Sequence, residues 1–395
     1  MEFIRLNKNL QYTMFRSEEG LSTEYHAVIT SSAENPFIHD SISEVADYLK
    51  QFLDTTKLSV DNLIFSRIYF SDIANQKSII ENSPVYDLLN SNSTVSLIEQ
   101  PASSGANLII LLYLIDAKNI EKEIKIIDEF NHTSSTIISD KTTKHIWTTN
   151  LVSNIEFDSY KQTQQIFDNY DKILKENNST LIDHSIRTWI YVRDIDNHYM
   201  GMVDARRELF EEEGLTAKTH YISSTGIEAR IQNVNNLVSM DALTIPTIKQ
   251  EQITFLEALE HLNPTHEYGV TFERGTKVDY SDRTHYYISG TASIDNKGDV
   301  VHIGDIKKQT HRTLENINAL LNPHGAALND MAYLIVYLRD FGTEKIVREI
   351  IKETIDNDIP MIIVQGAVCR PTWLIEMEGV AIKRNKNSEL PNFFS

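Results

Sequence analysis

The sequence predicts an α+β protein in which one small unit of strands and helices occurs three times along the chain. The first observation is a short pattern (aromatic, apolar, any residue, Asp, apolar) that recurs at 69–73, 191–195 and 337–341. The second is an amphipathic helix pattern upstream of each copy, and the third is a strongly apolar or alternating segment downstream. Because these features keep the same order in every copy, a repeat explains them better than chance does.

The repeated elements can be placed along the chain in order. Apolar residues spaced by three and four define the upstream helices: Ile42, Val45, Leu49 and Phe52; Ile166, Tyr170, Ile173 and Leu174; Leu314, Ile317, Leu320 and Leu321. A second helical stretch follows each Asp-containing pattern, and closing strands are predicted at 108–115, 237–245 and 374–382. The third copy is the fullest, because its opening strand (286–290) and turn (296–299) are also legible.

These copies predict the domain organisation. The expected divisions are a first unit at 1–120, a second at 121–250, a connection at 251–283, a third unit at 284–384 and a tail at 385–395. Residues around 116–160 and 246–283 are expected to be connections, since polar runs interrupt the first, and Pro246 and Pro264 interrupt the second.

Composition limits the partners and the compartment. The chain has 395 residues with 37 Lys and Arg against 56 Asp and Glu, a net charge of −19, so we expect no nucleic-acid partner. The single cysteine, Cys369, cannot form an intramolecular disulfide, and the segment after Met1 lacks the pattern of a signal peptide. The longest apolar run, 108–115, is far shorter than the roughly 20 residues that span a bilayer. We therefore expect a cytoplasmic protein without membrane association.

Several kinds of site are excluded by missing motifs. Ser293 lacks the second glycine of the nucleophile elbow, so no serine triad is predicted. The 13 histidines include no H-x-H or H-E-x-x-H pair, and the glycine-rich phosphate loops are missing. We therefore expect no metal and no nucleotide cofactor.

Two carboxylates interrupt an apolar strand near the C-terminus. Glu376 and Glu378 are two residues apart, so strand alternation places both on one face, with Leu374 and Val380. Burial and a neighbouring carboxylate both raise the pKa of a carboxyl group, so one of the pair is expected to stay protonated near neutral pH and act as a general acid. The alternatives are a structural Glu paired with an Arg, or a strand edge that faces water.

Three other segments carry polar groups among apolar neighbours. Cys369 is either a small buried hydrophobe or a site residue, and a structural role is expected for Arg370. The segments 223–230 and 268–275 each join an arginine to a glycine turn. Such an arginine suits a carboxylate ligand, because its planar guanidinium binds both oxygens while backbone amides approach closely. The alternative for each is a surface arginine in a loop.

At these segments the chain resembles the RidA/YjgF superfamily, formerly called endoribonuclease L-PSP, over 284–384. Within it, the segment 287–294, which contains the run Gly-Thr-Ala-Ser, and the Cys-Arg pair leading to 376–379 resemble the chorismatases. The resemblance extends well over 220–384 and reaches the N-terminal half only through the repeats. It implies a chorismate-mutase-like α+β fold, three degenerate units packed as a pseudo-trimer within one chain, and a cleft where the third unit meets the second.

The resemblance also implies an activity, cleavage of the enolpyruvyl ether of chorismate to pyruvate without metal or organic cofactor. Glu376 occupies the position of the family's acid, and Cys369 the position where chorismatases that form 3-hydroxybenzoate have cysteine. Arg230 and Arg274 are the implied partners of the two substrate carboxylates, and Arg230 is expected to reach Glu376 across an internal interface. Further substrate-binding candidates are Tyr221, Tyr268 and Thr291.

Departures from the family pattern keep alternatives open. RidA imine deaminases carry an arginine where this chain has Ile363, and the loop 295–303 keeps only His302 of the expected chorismatase loop. One alternative is a RidA-like imine deaminase or a protein that binds another small carboxylate. The other is a non-catalytic ligand-binding or assembly protein, in which Glu376 is salt-bridged and its cleft filled. The chain is expected to be a monomeric pseudo-trimer or a homo-oligomer.

Overall fold

The chain forms three units, each built on a six-stranded sheet, in a computed structural model that describes residues 1–18, 20–155, 157–231 and 234–394, without the side chain of Tyr268. The first unit has the strand order β1-β2-β3-β6-β4-β5. Its elements are β1 (Glu2–Asn7), β2 (Leu10–Arg16), β3 (Ser22–Thr30), α1 (Ile38–Thr56), β4 (Leu63–Phe70), α2 (Ile73–Glu81), α3 (Pro84–Asn92), β5 (Thr94–Glu99) and β6 (Leu108–Ala117).

The second unit repeats this topology, with the order β7-β8-β9-β12-β10-β11. Its elements are β7 (Glu121–Asp128), β8 (Thr133–Ser139), β9 (Lys144–Val152), α4 (Ser159–Glu176), α5 (Leu181–His184), β10 (Ser185–Val192), α6 (Ile195–Glu212), β11 (Ser223–Glu228) and β12 (Val238–Thr244).

The third unit has the order β13-β14-β15-β18-β16-β17. Its elements are β13 (Ile253–Phe255), β14 (Gly275–Asp279), β15 (Arg283–Ala292), α7 (Ile306–Leu321), β16 (Met331–Leu338), α8 (Glu344–Thr354), β17 (Met361–Gln365) and β18 (Ile375–Arg384). In every unit the last two strands of the order run parallel and the others pair antiparallel. The predicted α+β fold of three repeated units is therefore confirmed.

The predicted repeat elements appear at the expected places for physical reasons. The apolar stripes of α1, α4 and α7 are the faces that these helices bury. The recurring aspartate stands where each middle strand gives way to a helix: the Asp72 side chain accepts from the first amides of α2, and that of Asp340 from the Gly342 amide. Asp194 holds the same place before α6 in a left-handed backbone conformation, without a side-chain cap.

Three segments that were expected to be connections or a tail are parts of the folded units. Residues 116–160 contain β7, β8 and β9, which belong to the sheet of the second unit. Residues 251–283 contain β13 and β14, which belong to the sheet of the third unit. The expected tail is also structural, since Phe393 and Phe394 are buried against His145. Within the part of the chain that the structure describes, no helix is long and apolar enough to cross a membrane.

Buried ion pairs join the three units in a cycle. Arg67 of the first unit contacts Asp241 of the second at 2.9 Å, and Arg187 of the second unit contacts Glu378 of the third. Arg283 of the third unit returns to Glu24 of the first at 2.8 Å. The largest hydrophobic cluster also contains residues from all three units. The units therefore pack as one body around shared buried interfaces.

Candidate active site

A cavity of about 290 Å³ lies where the second unit meets the third, the place expected for the cleft. The second unit contributes residues of α6 and β11, and the third contributes 269–274, the end of β15 and 369–376. This volume is close to the roughly 300 Å³ at which small-molecule pockets begin. Elements distant in sequence thus form one site for a small ligand.

Glu376 is the carboxyl group of this cavity. It lies near the start of β18, pairs with Ala292 of β15 on one side and Tyr337 of β16 on the other, and is 6 % exposed. Burial and the neighbouring charge of Glu378 raise the pKa of Glu376 to about 8, although Arg187 and Arg274 partly offset the rise. The group is therefore mostly protonated at neutral pH, as a general acid must be.

Gly290 makes room for this carboxyl group. A Cβ atom at Gly290 would lie 2.2 Å from Oε1 of Glu376, which is far too close, and 3.1 Å from Cγ2 of Thr225, which is a tight contact. The first residue of the Gly-Thr-Ala-Ser run is therefore a glycine because a side chain at this position would collide with the carboxyl group of Glu376.

Glu378 lies on the same face of β18 but is used differently. It is 1 % exposed and forms a salt bridge with Arg187 of β10. Thr225 of β11 also donates a hydrogen bond to it, and the Tyr337 hydroxyl donates another at 2.6 Å. The prediction that both carboxylates share a face is therefore met, and the residue paired with an arginine is Glu378 rather than Glu376.

Four arginines line the cavity: Arg206, Arg207, Arg274 and Arg370. Each also contacts a neighbouring polar group: Arg206 with Thr271 Oγ1 at 3.3 Å, Arg207 with Asp204 at 2.6 Å, Arg274 with the Asn263 carbonyl at 2.9 Å, and Arg370 with the Gly298 carbonyl at 2.9 Å. In a chain of net charge −19, this is a local concentration of positive charge. The cavity therefore suits an anionic ligand.

Cys369 also lines the cavity, in the connection between β17 and β18. Burial and Glu376 raise the pKa of its thiol to about 12, although a hydrogen bond with the Tyr199 side chain opposes the rise. The thiol is therefore protonated at neutral pH, and a thiolate nucleophile is not what this environment favours.

Three of the expected binding residues are placed elsewhere. Arg230 is exposed and contacts Glu99 of the first unit at 3.2 Å, so the expectation that it reaches Glu376 is wrong. Tyr221 stacks on Phe210 and lies outside the cavity lining, and the Thr291 hydroxyl donates to the Ser289 carbonyl. The side chain of Tyr268 lies outside the described part of the structure. Glu376, Cys369 and Arg274 are the predicted residues that the fold brings together.

Several site residues escaped the sequence analysis. Arg206 occupies a buried position on α6 with Met202, Val203 and Phe210, where the helix pattern calls for an apolar residue. The arginine among the apolar residues of this helix face is the sequence feature that could have identified Arg206 as a site residue. Arg370 was expected to be structural but lines the cavity, stacked on Trp373 at 4.8 Å.

The strand register can be compared between the three units at the position that Glu376 occupies in the third. The tyrosine of the recurring pattern pairs with Ile109 in the first unit, with Ser239 in the second and with Glu376 in the third. The residue two positions further along is Leu111, Asp241 or Glu378, respectively. Only the third unit therefore presents a carboxyl group at the position of Glu376.

Within the described residues, no group of three or more His, Cys, Asp or Glu side chains is placed to hold a metal ion.

Comparisons with known proteins agree with the topology of the units. Residues 276–383 match the family model described as endoribonuclease L-PSP. The chain is 33% identical over 96 residues to the 3-aminoacrylate deaminase RutC of Acinetobacter baylyi, covering 24% of this chain and 76% of that protein. It is 36% identical over 98 residues to a RutC family protein of Pyrococcus abyssi, covering 25% of this chain and 77% of that protein.

A solved structure extends the likeness beyond the third unit. A crystal structure of a chorismatase superposes with a TM-score of 0.62, covering 81% of this chain and 93% of that one at 16% sequence identity. At that identity the likeness shows a shared fold over most of the chain. The relatives matched by the third unit show that the chain belongs to the RutC, or endoribonuclease L-PSP, family, and the superposition shows that it has a chorismatase-like fold.

Proposed function

We propose that the protein cleaves the enolpyruvyl ether of chorismate and releases pyruvate, with Glu376 as the proton donor. The observation that carries this proposal is the buried carboxyl group of Glu376 in a cavity lined by four arginines, and its raised pKa favours the protonated form at neutral pH. Chorismate carries two carboxylates and an acid-labile enol ether, so it needs both features. The shared fold with a chorismatase over 81% of the chain supports the proposal.

The chemistry assigns one task to each group. Glu376 donates its proton to the terminal methylene of the enolpyruvyl group, which becomes a methyl group and leaves an oxocarbenium-like centre. Water can add to this centre; the adduct then breaks its bond to the ring's ether oxygen, which gives pyruvate and the dihydroxycyclohexadiene carboxylate, and the proton that water loses returns to Glu376. Alternatively, the neighbouring ring hydroxyl displaces the side chain at the ring carbon. The bond from that carbon to the ether oxygen breaks, the oxygen leaves in pyruvate, and loss of the hydroxyl proton to Glu376 followed by aromatisation gives 3-hydroxybenzoate. The arginines hold the carboxylates so that the vinyl carbon lies against the carboxyl group of Glu376.

The direct test supplies chorismate to the purified protein and detects pyruvate with lactate dehydrogenase, followed by chromatography of the ring product. Release of one pyruvate per chorismate consumed is the expected result. Chorismate that persists unchanged at high enzyme concentration contradicts the proposal.

The second candidate is enamine or imine deamination, favoured by the match of the third unit to the deaminase RutC. The buried Ile363 of β17 stands where imine deaminases of this superfamily carry an arginine, which speaks against it. Ammonia release from 2-aminoacrylate, without pyruvate release from chorismate, would favour this candidate instead.

Replacement of Gly290 by alanine is expected to lower kcat by about 100-fold, because a displacement of the reacting group by about 1 Å has that effect. The added methyl group collides with the end of the Glu376 side chain, which can move, so the melting temperature should change little. Pyruvate release and thermal unfolding measure the two quantities. The control is Gly342→Ala at an exposed turn outside the cavity lining, and equal activities of the two variants would refute the role of Gly290.

Replacement of Cys369 by alanine tests the product. Cys369 stands where the chorismatases that form 3-hydroxybenzoate have cysteine. The variant is therefore expected to shift the product toward the dihydroxycyclohexadiene carboxylate while pyruvate release continues. Chromatography of the two ring acids measures the ratio. If the ratio is the same in both proteins, the thiol has no part in the choice of product.

A further inference from the structure

Glu378 is a buried charged residue that the mechanism above does not use. It is 1 % exposed and is not part of the cavity lining. One carboxylate oxygen accepts hydrogen bonds from Arg187 and Thr225, both of the second unit, and the other accepts from Tyr337 of its own unit. Two units therefore fix the position of this carboxylate from opposite sides.

A chain of contacts leads from Glu378 to the acid. The Thr225 hydroxyl, which donates to Glu378, accepts a hydrogen bond from the Gly290 amide at 2.9 Å. Gly290 in turn lies directly against the carboxyl group of Glu376. The wall behind the acid is therefore held in place by a hydroxyl that is itself bound to Glu378.

Electrostatics gives Glu378 a second task. Arg274, one of the cavity arginines, and Arg187 of β10 both favour the ionised form of Glu376, which cannot donate a proton. Glu378 is the neighbouring negative charge that opposes them. The titratable or charged groups around Glu376 are Glu378 on its own strand, Arg187 on β10, Tyr337 on β16, Arg274 before β14, Cys369 and Arg370 before β18, and Tyr199, Arg206 and Arg207 on α6.

We propose that Glu378, anchored across the unit boundary by Arg187, is a positioning residue that fixes both the place and the proton of the Glu376 carboxyl group. The cavity can then bind an anion with several arginines and still present a neutral acid. The proposal deepens the proposed function, on which its kinetic part rests, while its spectroscopic part concerns Glu376 alone.

The repeat supplies a matched control. Asp241 occupies the register position of Glu378 in the second unit and is likewise buried in a salt bridge, with Arg67. The residue at the position of the acid is Ser239 there. The variant Asp241→Asn therefore removes the charge from an equally buried ion pair without touching the neighbour of Glu376.

The test is a titration of the Glu376 carboxyl carbon by NMR in protein labelled with ¹³C at the glutamate side-chain carboxyl. The signal is assigned by its loss in Glu376→Gln. The variant Glu378→Gln is expected to lower the titration midpoint of Glu376 by about one pH unit, which is tenfold in the acid dissociation constant. The descending limb of kcat/KM against pH should move down with it, whereas Asp241→Asn should leave both in place.

A second variant keeps the test decisive if the uncompensated Arg187 prevents folding of Glu378→Gln. The double variant Arg187→Gln/Glu378→Gln removes both charges, and the midpoint should still fall, because Glu378 affects Glu376 more strongly than Arg187 does. A wild-type midpoint in either folded variant overturns the inference. A lowered midpoint in a protein that never releases pyruvate would uphold the inference and refute the proposed function.

Discussion

Glu376→Gln is expected to lower kcat/KM for pyruvate release from chorismate by about 100- to 10,000-fold, the range over which general acids contribute. Glutamine keeps the size of the side chain and its place beside Gly290 but has no acidic proton. The anion-binding arginines are unaffected, so substrate affinity should change little. Initial rates from the coupled lactate dehydrogenase assay and a binding titration by calorimetry measure the two effects.

The matched control for this variant is Glu378→Gln, which changes the same residue type on the same strand. It is expected to retain more activity than Glu376→Gln near pH 6, where the remaining acid is still protonated despite its lowered pKa. If Glu376→Gln keeps wild-type activity, the proton comes from another group and the proposed mechanism fails.

Arg67→Met is expected to lower the free energy of unfolding by about 3–5 kcal/mol, the usual effect of removing one partner from a buried ion pair. Arg67 and Asp241 are 0 % and 1 % exposed, and their contact joins the first unit to the second. Without the guanidinium, Asp241 remains as an uncompensated charge between two units. Urea unfolding followed by tryptophan fluorescence measures the change, since Trp189 lies 4.9 Å from the guanidinium.

The double variant Arg67→Met/Asp241→Leu separates the ion pair from the packing. Replacing both charged groups by apolar ones is often neutral, so this variant should recover most of the lost stability. A loss below about 1 kcal/mol in Arg67→Met, the size typical of an exposed pair, would show that the interface is hydrated and contradict the packing described above.

The strongly patterned elements of the fold were predictable from sequence, and the edge elements were not. The helices and the closing strands could be recognised because each helix buries one apolar face and each closing strand buries one face or both, which leaves a regular apolar pattern in the sequence. Strand β7 carries alternating charges and is largely exposed at a sheet edge, and β13 has three residues, so neither has an apolar pattern. The tail is held by the buried side chains of Phe393 and Phe394. Two adjacent apolar residues do not form a periodic pattern that sequence analysis can recognise.

The site divides in the same way. Glu376 was predictable because a carboxylate in an apolar strand is conspicuous, and Cys369 and Arg274 followed from the family resemblance. Arg230 was misplaced because its partner, Glu99, belongs to the first unit, and no local pattern reports that contact. The role of Arg187 depends on how the second unit packs against the third, which is likewise a property of the assembled fold.

The pH dependence of kcat/KM for pyruvate release tests the central claim, that Glu376 acts as an acid, most directly. Because the pKa of this group is about 8, its protonated fraction falls as the pH rises through that value. We predict a rate that is nearly constant between pH 6 and pH 7 and falls about tenfold per pH unit above pH 8. A rate that instead rises through pH 8 would mean that the ionised form is active, and would contradict proton donation by Glu376.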